Sequence, residues 1–105
     1  MVLNTHKPTI EDDLLEVKEI VLSGLEKYSV KVYLFGSQAT GTAKPTSDID
    51  IAIWPLSPVP EQVFAIISQA LKESAVLRPV ELVDTSTGDD ALRERVLREG
   101  ILWRE

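Results

Sequence analysis

In the stretch LFGSQATGTAKPTSDIDIAI, residues 34–53, one hydrophobic run stops at Gly36-Ser37 and a second begins with two aspartates one residue apart. Residues 29–35, SVKVYLF, are β-branched and aromatic and read as a strand stopped by Gly36. Residues 47–54, SDIDIAIW, read as a second strand stopped by Pro55. Between them GSQATGTAKPT is built of small residues and broken by Gly41 and Pro45, so it holds at most one or two helical turns before a loop. Along a strand, residues i and i+2 point to the same side. Asp48 and Asp50 are therefore neighbours, while Ile49 and Ile51 turn the other way into a core.

The flanking sequence is helical on both sides. From Thr9 to about Lys27, the residues Leu14, Val17, Val21, Leu25 and Tyr28 recur at helical spacing, with Thr9 as cap and Asp12 in place of the usual Glu. After the connector LSPVP, Pro60 suits a helix start, and Val63, Ile66, Ile67, Ala70 and Leu71 make a second apolar stripe to about Glu73. VELVD after Pro79 reads as a third strand. A last helix runs from about Asp89 to Glu99, with Leu92 and Val96 inward and Gly100 as its C-cap. The tail ILWRE is apolar enough to pack back on the domain. This order predicts a small α/β or α+β sandwich, one domain over residues 1–105, with at least three strands in one sheet. Periodicity does not set strand order or direction.

Composition narrows the function classes. With no cysteine, disulfides, thiolate catalysis and sulfur-ligated zinc are out. A single histidine, His6 in the polar N-terminal stretch, makes a His-based metal site or triad improbable. Nowhere do 18 apolar residues run together, and the start MVLNTHKPTIEDD lacks a signal-peptide core, so the expectation is a soluble, cytoplasmic protein with no membrane contact. Eleven basic against 17 acidic residues give a net charge of −6, which disfavours an extended nucleic-acid surface.

The acidic residues hold the chemistry. An isolated D-x-D is ordinary on a strand with one wet face, but two unpaired carboxylates side by side either take up a proton or share a cation. Mg²⁺ suits them, since it takes oxygen ligands and is completed by substrate phosphates, which implies a nucleoside triphosphate. Gly36 at the end of the preceding strand would let a phosphate approach the backbone, and the Ser37 hydroxyl can donate to it. A third carboxylate would allow a second metal ion. Glu81, flanked by Val80 and Leu82 in mid-strand, is favoured for that post over Asp84, which sits at a strand end where turn aspartates are common. Lys44, in the loop before Asp48, could meet a phosphate. Trp54 and Trp103 read as core or sheet-edge residues.

Gly36-Ser37, a ten-residue interval, Asp48-Ile49-Asp50 and then Glu81 on a later strand together resemble the nucleotidyltransferase superfamily that includes DNA polymerase beta. The length and the ending VELVDTSTGDDALRERVLREGILW are similar to the minimal, MNT-type members that pair with a helical HEPN protein as antitoxin and toxin; the likeness runs from about Val32 to Trp103. The resemblance implies a small mixed sheet flanked by helices, with Gly36 and Ser37 at the phosphates and Asp48, Asp50 and Glu81 as metal ligands and catalytic carboxylates. It also implies transfer of a nucleoside monophosphate, AMP from ATP, to a hydroxyl of the HEPN partner. Two residues depart from the family pattern: Gln38 stands where arginine is usual, and Glu81 where small members usually have Asp. Those departures keep a second reading open, a binding module that neutralises its helical partner sterically. Self-association is compatible with so small a domain.

Overall fold

Hydrophobic alternation along two central strands divides this protein into a thick and a thin side. A computed structural model describes residues 9–42 and 47–104. The elements are α1 (Ile10–Gly24), β1 (Val30–Phe35), α2 (Ser37–Thr40), β2 (Ile49–Pro55), α3 (Glu61–Glu73), β3 (Val80–Asp84), α4 (Asp90–Glu99) and β4 (Ile101–Arg104). The sheet order is β3-β2-β1-β4; β1 runs antiparallel to β2 and β4, and β2 runs parallel to β3. The fold is thus the expected mixed sheet flanked by helices, of the α+β class.

On the thick side, Val30, Val32 and Leu34 of β1 and Ile49, Ile51 and Ile53 of β2 are buried against Val17, Val21 and Leu25 of the α1 segment and Ile67 and Leu71 of α3. The helical spacing of those apolar positions puts them on one stripe, so α1 and α3 each present a single face to the sheet. Burying each such side chain stabilises the fold by about 1.5–3 kcal/mol. The expected α1 cap is present as a full capping box: the Thr9 hydroxyl accepts from the Asp12 amide, and the Asp12 carboxylate accepts from the Thr9 amide. One residue of the α3 stripe is misplaced in the sequence reading. Ile66 is 67% exposed, because Ile67 and Leu71 already fill the sheet contact and Ile66 falls at the rim of a cleft between α1 and α3.

The thin side is covered by α4. Val96 is fully buried there against Tyr33, Phe35 and Ala52, with Leu92, Val83 and Trp54 around it. The tail expected only to pack back on the domain is a strand, β4, paired antiparallel to β1 and anchored by Arg104, which donates to the carbonyls of Leu25 and Tyr28. Gly100 does cap α4, but with extended backbone (φ −72°, ψ 146°). What it supplies is space: a Cβ there would lie 2.4 Å from the Val96 carbonyl oxygen and 3.1 Å from the Tyr33 ring.

An ion pair joins α1 to the segment that leads into β3. Asp13 of α1 is buried and pairs with Arg78, which precedes β3. Beside it, the Ile49 amide donates to the Pro79 carbonyl at 2.9 Å, so the start of β3 is tied to both α1 and β2. Among the described residues no helix is long and apolar enough to cross a membrane.

Candidate active site

Three strands deliver the sequence-predicted residues to one end of the sheet. Phe35, the last residue of β1, pairs with Asp50 of β2, and Asp50 pairs with Glu81 of β3. Directly paired residues point to the same side, and here that is the thin side, which Phe35, Ala52 and Val83 also share. Asp48 lies two residues before Asp50 and on the same side. The structure therefore brings Gly36, Asp48, Asp50 and Glu81 together. Asp48 and Glu81 are exposed and Asp50 is partly buried.

Gly36 is required by geometry. Its φ of +76° with ψ −155° is a combination essentially restricted to glycine. A Cβ there would lie 2.4 Å from Oδ2 of Asp50, so the turn backbone is pressed onto that carboxylate. The Gly36 carbonyl then accepts from the amides of Ala39 and Thr40, both at 3.1 Å, which folds Ser37–Thr40 into the single helical turn α2. Ser37 thus leads directly off the row of acids. Gln38 uses its Nε2 to donate to the Ser47 carbonyl at 3.4 Å, bracing the turn against the residue before Asp48. Lys44, the predicted phosphate contact, lies outside the described residues.

The electrostatics follow from this crowding. The Asp50 carboxyl is held above its ordinary value first by burial, then by the negative charges of Glu81 and Asp48; Arg95 pulls the other way, and a side-chain hydrogen bond with Glu81, which needs a proton on one of the two, adds to the rise. Asp50 thus holds its proton more tightly than an ordinary aspartate does. Among the described residues, no three His, Cys, Asp or Glu side chains close into a ready-made metal cluster. The acids share a face without forming a cage.

Asp84, the rejected competitor, points to the other side and accepts from the Ser86 amide at 2.9 Å and the Ser86 hydroxyl at 2.6 Å, an ordinary turn role. Sequence reasoning missed Arg95. Its guanidinium lies 5.6 Å from the centre of the Phe35 ring, and its charge is felt at Asp50. The available signal was its spacing: three residues after the inward Leu92, it flanks the buried stripe of α4.

A mixed sheet with a Gly-Ser turn leading off a D-x-D strand, and an acid in register on the next strand, defines a nucleotidyltransferase-type domain. The sequence profile described as polymerase beta, nucleotidyltransferase matches residues 19–104, and the chain belongs to that family. The solved structure of a protein assigned as a minimal nucleotidyltransferase superposes with a TM-score of 0.70 at 29% identity, covering 93% of this chain and 98% of that one. A toxin–antitoxin structure with AMP-PNP contains a chain matching at TM-score 0.65 and 27% identity, over 82% of this chain and 71% of that one. A chain from the complex of tri-AMPylated Shewanella oneidensis HEPN toxin with MNT antitoxin shares the fold, at TM-score 0.65 and 22% identity over 90% and 71% of the two chains. No curated protein sequence matches the chain.

Proposed function

We propose that this chain is a Mg²⁺-dependent nucleotidyltransferase that moves AMP from ATP onto a hydroxyl of a protein partner, and that the partner is a HEPN-type toxin for which it is the cytoplasmic antitoxin. One observation carries the reading: Phe35, Asp50 and Glu81 stand in register across three strands, Gly36 follows Phe35 against the Asp50 carboxylate, and Asp48 lies two residues before Asp50 on the same face. The family membership and the likeness to a chain of a toxin–antitoxin structure with AMP-PNP support the nucleotide and the partner.

The donor set fits the ion. Asp48, Asp50 and Glu81 offer hard carboxylate oxygens, and Mg²⁺ is commonly held by only one or two protein carboxylates with substrate phosphates completing the shell. When bound, Mg²⁺ would offset the repulsion among these acids and polarise the phosphates of the nucleotide. The chain's own groups do the rest. The Gly36 turn lets the triphosphate approach without a side chain in the way, and the Ser37 hydroxyl donates to a phosphate oxygen. The acceptor oxygen forms a bond to the α-phosphorus while the bond from that phosphorus to the oxygen bridging to the β-phosphate breaks. Pyrophosphate leaves with that electron pair, and the hydroxyl proton passes to Glu81, an exposed member of the row.

The test is transfer of α-phosphate label from ATP to the co-purified partner. Wild-type chain with Mg²⁺ should label the partner on a hydroxyl side chain; Asp48→Ala and Asp50→Ala should abolish labelling while still binding the partner. If both variants neutralise the toxin as well as wild type does, inhibition is steric and the transferase reading of the antitoxin fails.

A further inference from the structure

Helix α4 carries three arginines with different surroundings. Arg93 donates to the carbonyls of Thr85 at 3.3 Å and Gly88 at 2.6 Å, fixing the turn between β3 and α4. Arg98 is 69% exposed and lies 3.9 Å from Glu99. Arg95 is half exposed; its Nε donates to Glu99 at 3.1 Å, while its guanidinium sits over the ring of Phe35. Phe35 is both the residue before the Gly36-Ser37 turn and the register partner of Asp50. Arg95 therefore stands over the junction between the turn and the acids.

Its contacts are unusual for a simple counterion. Among the described residues the ion pair of Arg95 is with Glu99, and it has none with Asp48, Asp50 or Glu81, although its charge reaches Asp50. Arg95 is thus a cation near the acidic row that is not paired to it. Its Nη donors make no hydrogen bond to any described residue. Glu99 would not be abandoned if Arg95 turned inward, since Arg98 is beside it. The turn itself offers no such charge: Gln38 is neutral and committed to the Ser47 carbonyl.

We propose that Arg95 is the cation that binds the triphosphate of the donor nucleotide, supplying from α4 the positive charge that Gln38 does not. The inference rests on the nucleotidyltransferase reading above. A guanidinium suits the task, because it offers several N–H donors in a fixed fork to phosphate oxygens. Packing on Phe35 also limits the rotamers it must give up on binding.

The sign of one measurement separates phosphate binding from counterion duty. Arg95→Met keeps an unbranched stem against Phe35 and removes the charge. Titration calorimetry of the full chain with Mg²⁺ alone and with MgATP should show unchanged or tighter Mg²⁺ binding, since a competing cation has gone, but MgATP binding weaker by about tenfold to a hundredfold, the usual range for a lost charge-assisted hydrogen bond. Arg95→Lys should restore part of the loss, and Arg98→Met, which leaves Glu99 with Arg95 alone, should weaken MgATP binding by less than Arg95→Met does. MgATP binding as tight as wild type in Arg95→Met, with binding still lost in Asp50→Ala, overturns the role of Arg95 and leaves the site reading standing. A folded wild-type chain that ignores MgATP removes both.

Discussion

Asp50→Asn should make the metal-free protein more stable at neutral pH, although it removes a residue central to the proposed site. The Asp50 carboxyl is raised above its ordinary value by burial, then by Glu81 and Asp48, against the opposing pull of Arg95. A raised carboxyl binds its proton more tightly folded than unfolded. Its favourable contribution is therefore complete below the unfolded value of about 3.9 and is lost as pH rises through the folded value. At pH 7 the ionised side chain destabilises the fold. The magnitude can be worked from the register: Asp50 faces Glu81 on an adjacent strand, and strands lie about 4.8 Å apart. Like charges about 5 Å apart repel by about 1 kcal/mol in water and about 3 kcal/mol at an effective dielectric of about 20. Because Glu81 is exposed, the lower figure applies.

Losing about 1 kcal/mol of repulsion should raise the melting temperature by about 4–8 °C for a domain of this size. The assay is thermal unfolding of wild type and Asp50→Asn in chelator-treated buffer at pH 7 and at pH 3. The variant should melt higher at pH 7, and the gap should close at pH 3, where both side chains are neutral. Adding Mg²⁺ at pH 7 should raise the wild-type midpoint by binding the folded state and leave the variant little changed. A variant that melts below wild type at pH 7, or a gap of the same size at both pH values, would refute the account of Asp50 as a repelled, desolvated carboxylate.

Gly36→Ala should be worse than a simple loss of flexibility. It places a Cβ on the Asp50 carboxylate at φ +76°, and should cost about 1–3 kcal/mol in chemical denaturation and abolish MgATP binding by calorimetry. Glu81→Gln should reduce label transfer at least tenfold, with a circular dichroism spectrum like that of wild type, because Glu81 is exposed and the fold does not depend on it. Arg78→Met strands the buried Asp13 carboxylate and should lower stability by about 3 kcal/mol in urea unfolding. Ile53→Ala, at a fully buried position of β2, should cost about 2–5 kcal/mol in the same assay.

What the sequence made legible and what it hid have separate physical causes. All four helices and the three longer strands carry their own signals: the stripe of Val17, Val21 and Leu25, the Thr9-Asp12 cap, and the alternation of Asp48 to Trp54. The strand β4 carries none. Ile101–Arg104 has only four residues and no alternation, and pairing with β1 is what makes it extended. Strand order was hidden for the same reason, since it depends on partners far apart in the chain. Glu81, favoured for its mid-strand place between Val80 and Leu82, is exposed; it stands beside Asp50 because β3 runs parallel to β2 in the register that pairs the two. The spacing of Arg95 from Leu92 put it beside the buried stripe of α4, but its place over Phe35 depends on how α4 crosses β1.

The division of the sheet into two sides explains why so small a domain can carry so much charge near its centre. In β2 the odd positions Ile49, Ile51 and Ile53 are buried under α1 and α3, while the even positions Asp50, Ala52 and Trp54 face the side that α4 covers. Stability and chemistry therefore use alternate residues of one strand. A register slip of one residue would drive the aspartates into the apolar core and expose the isoleucines, so the burial that holds the fold also fixes where the acids stand. The end of β1 is fixed by the same constraint, because Gly36 leaves the sheet where Asp50 needs room for its carboxylate. Substitutions at Asp48, Asp50 and Glu81 should consequently separate function from folding, whereas those at Ile49, Ile51 and Ile53 should not.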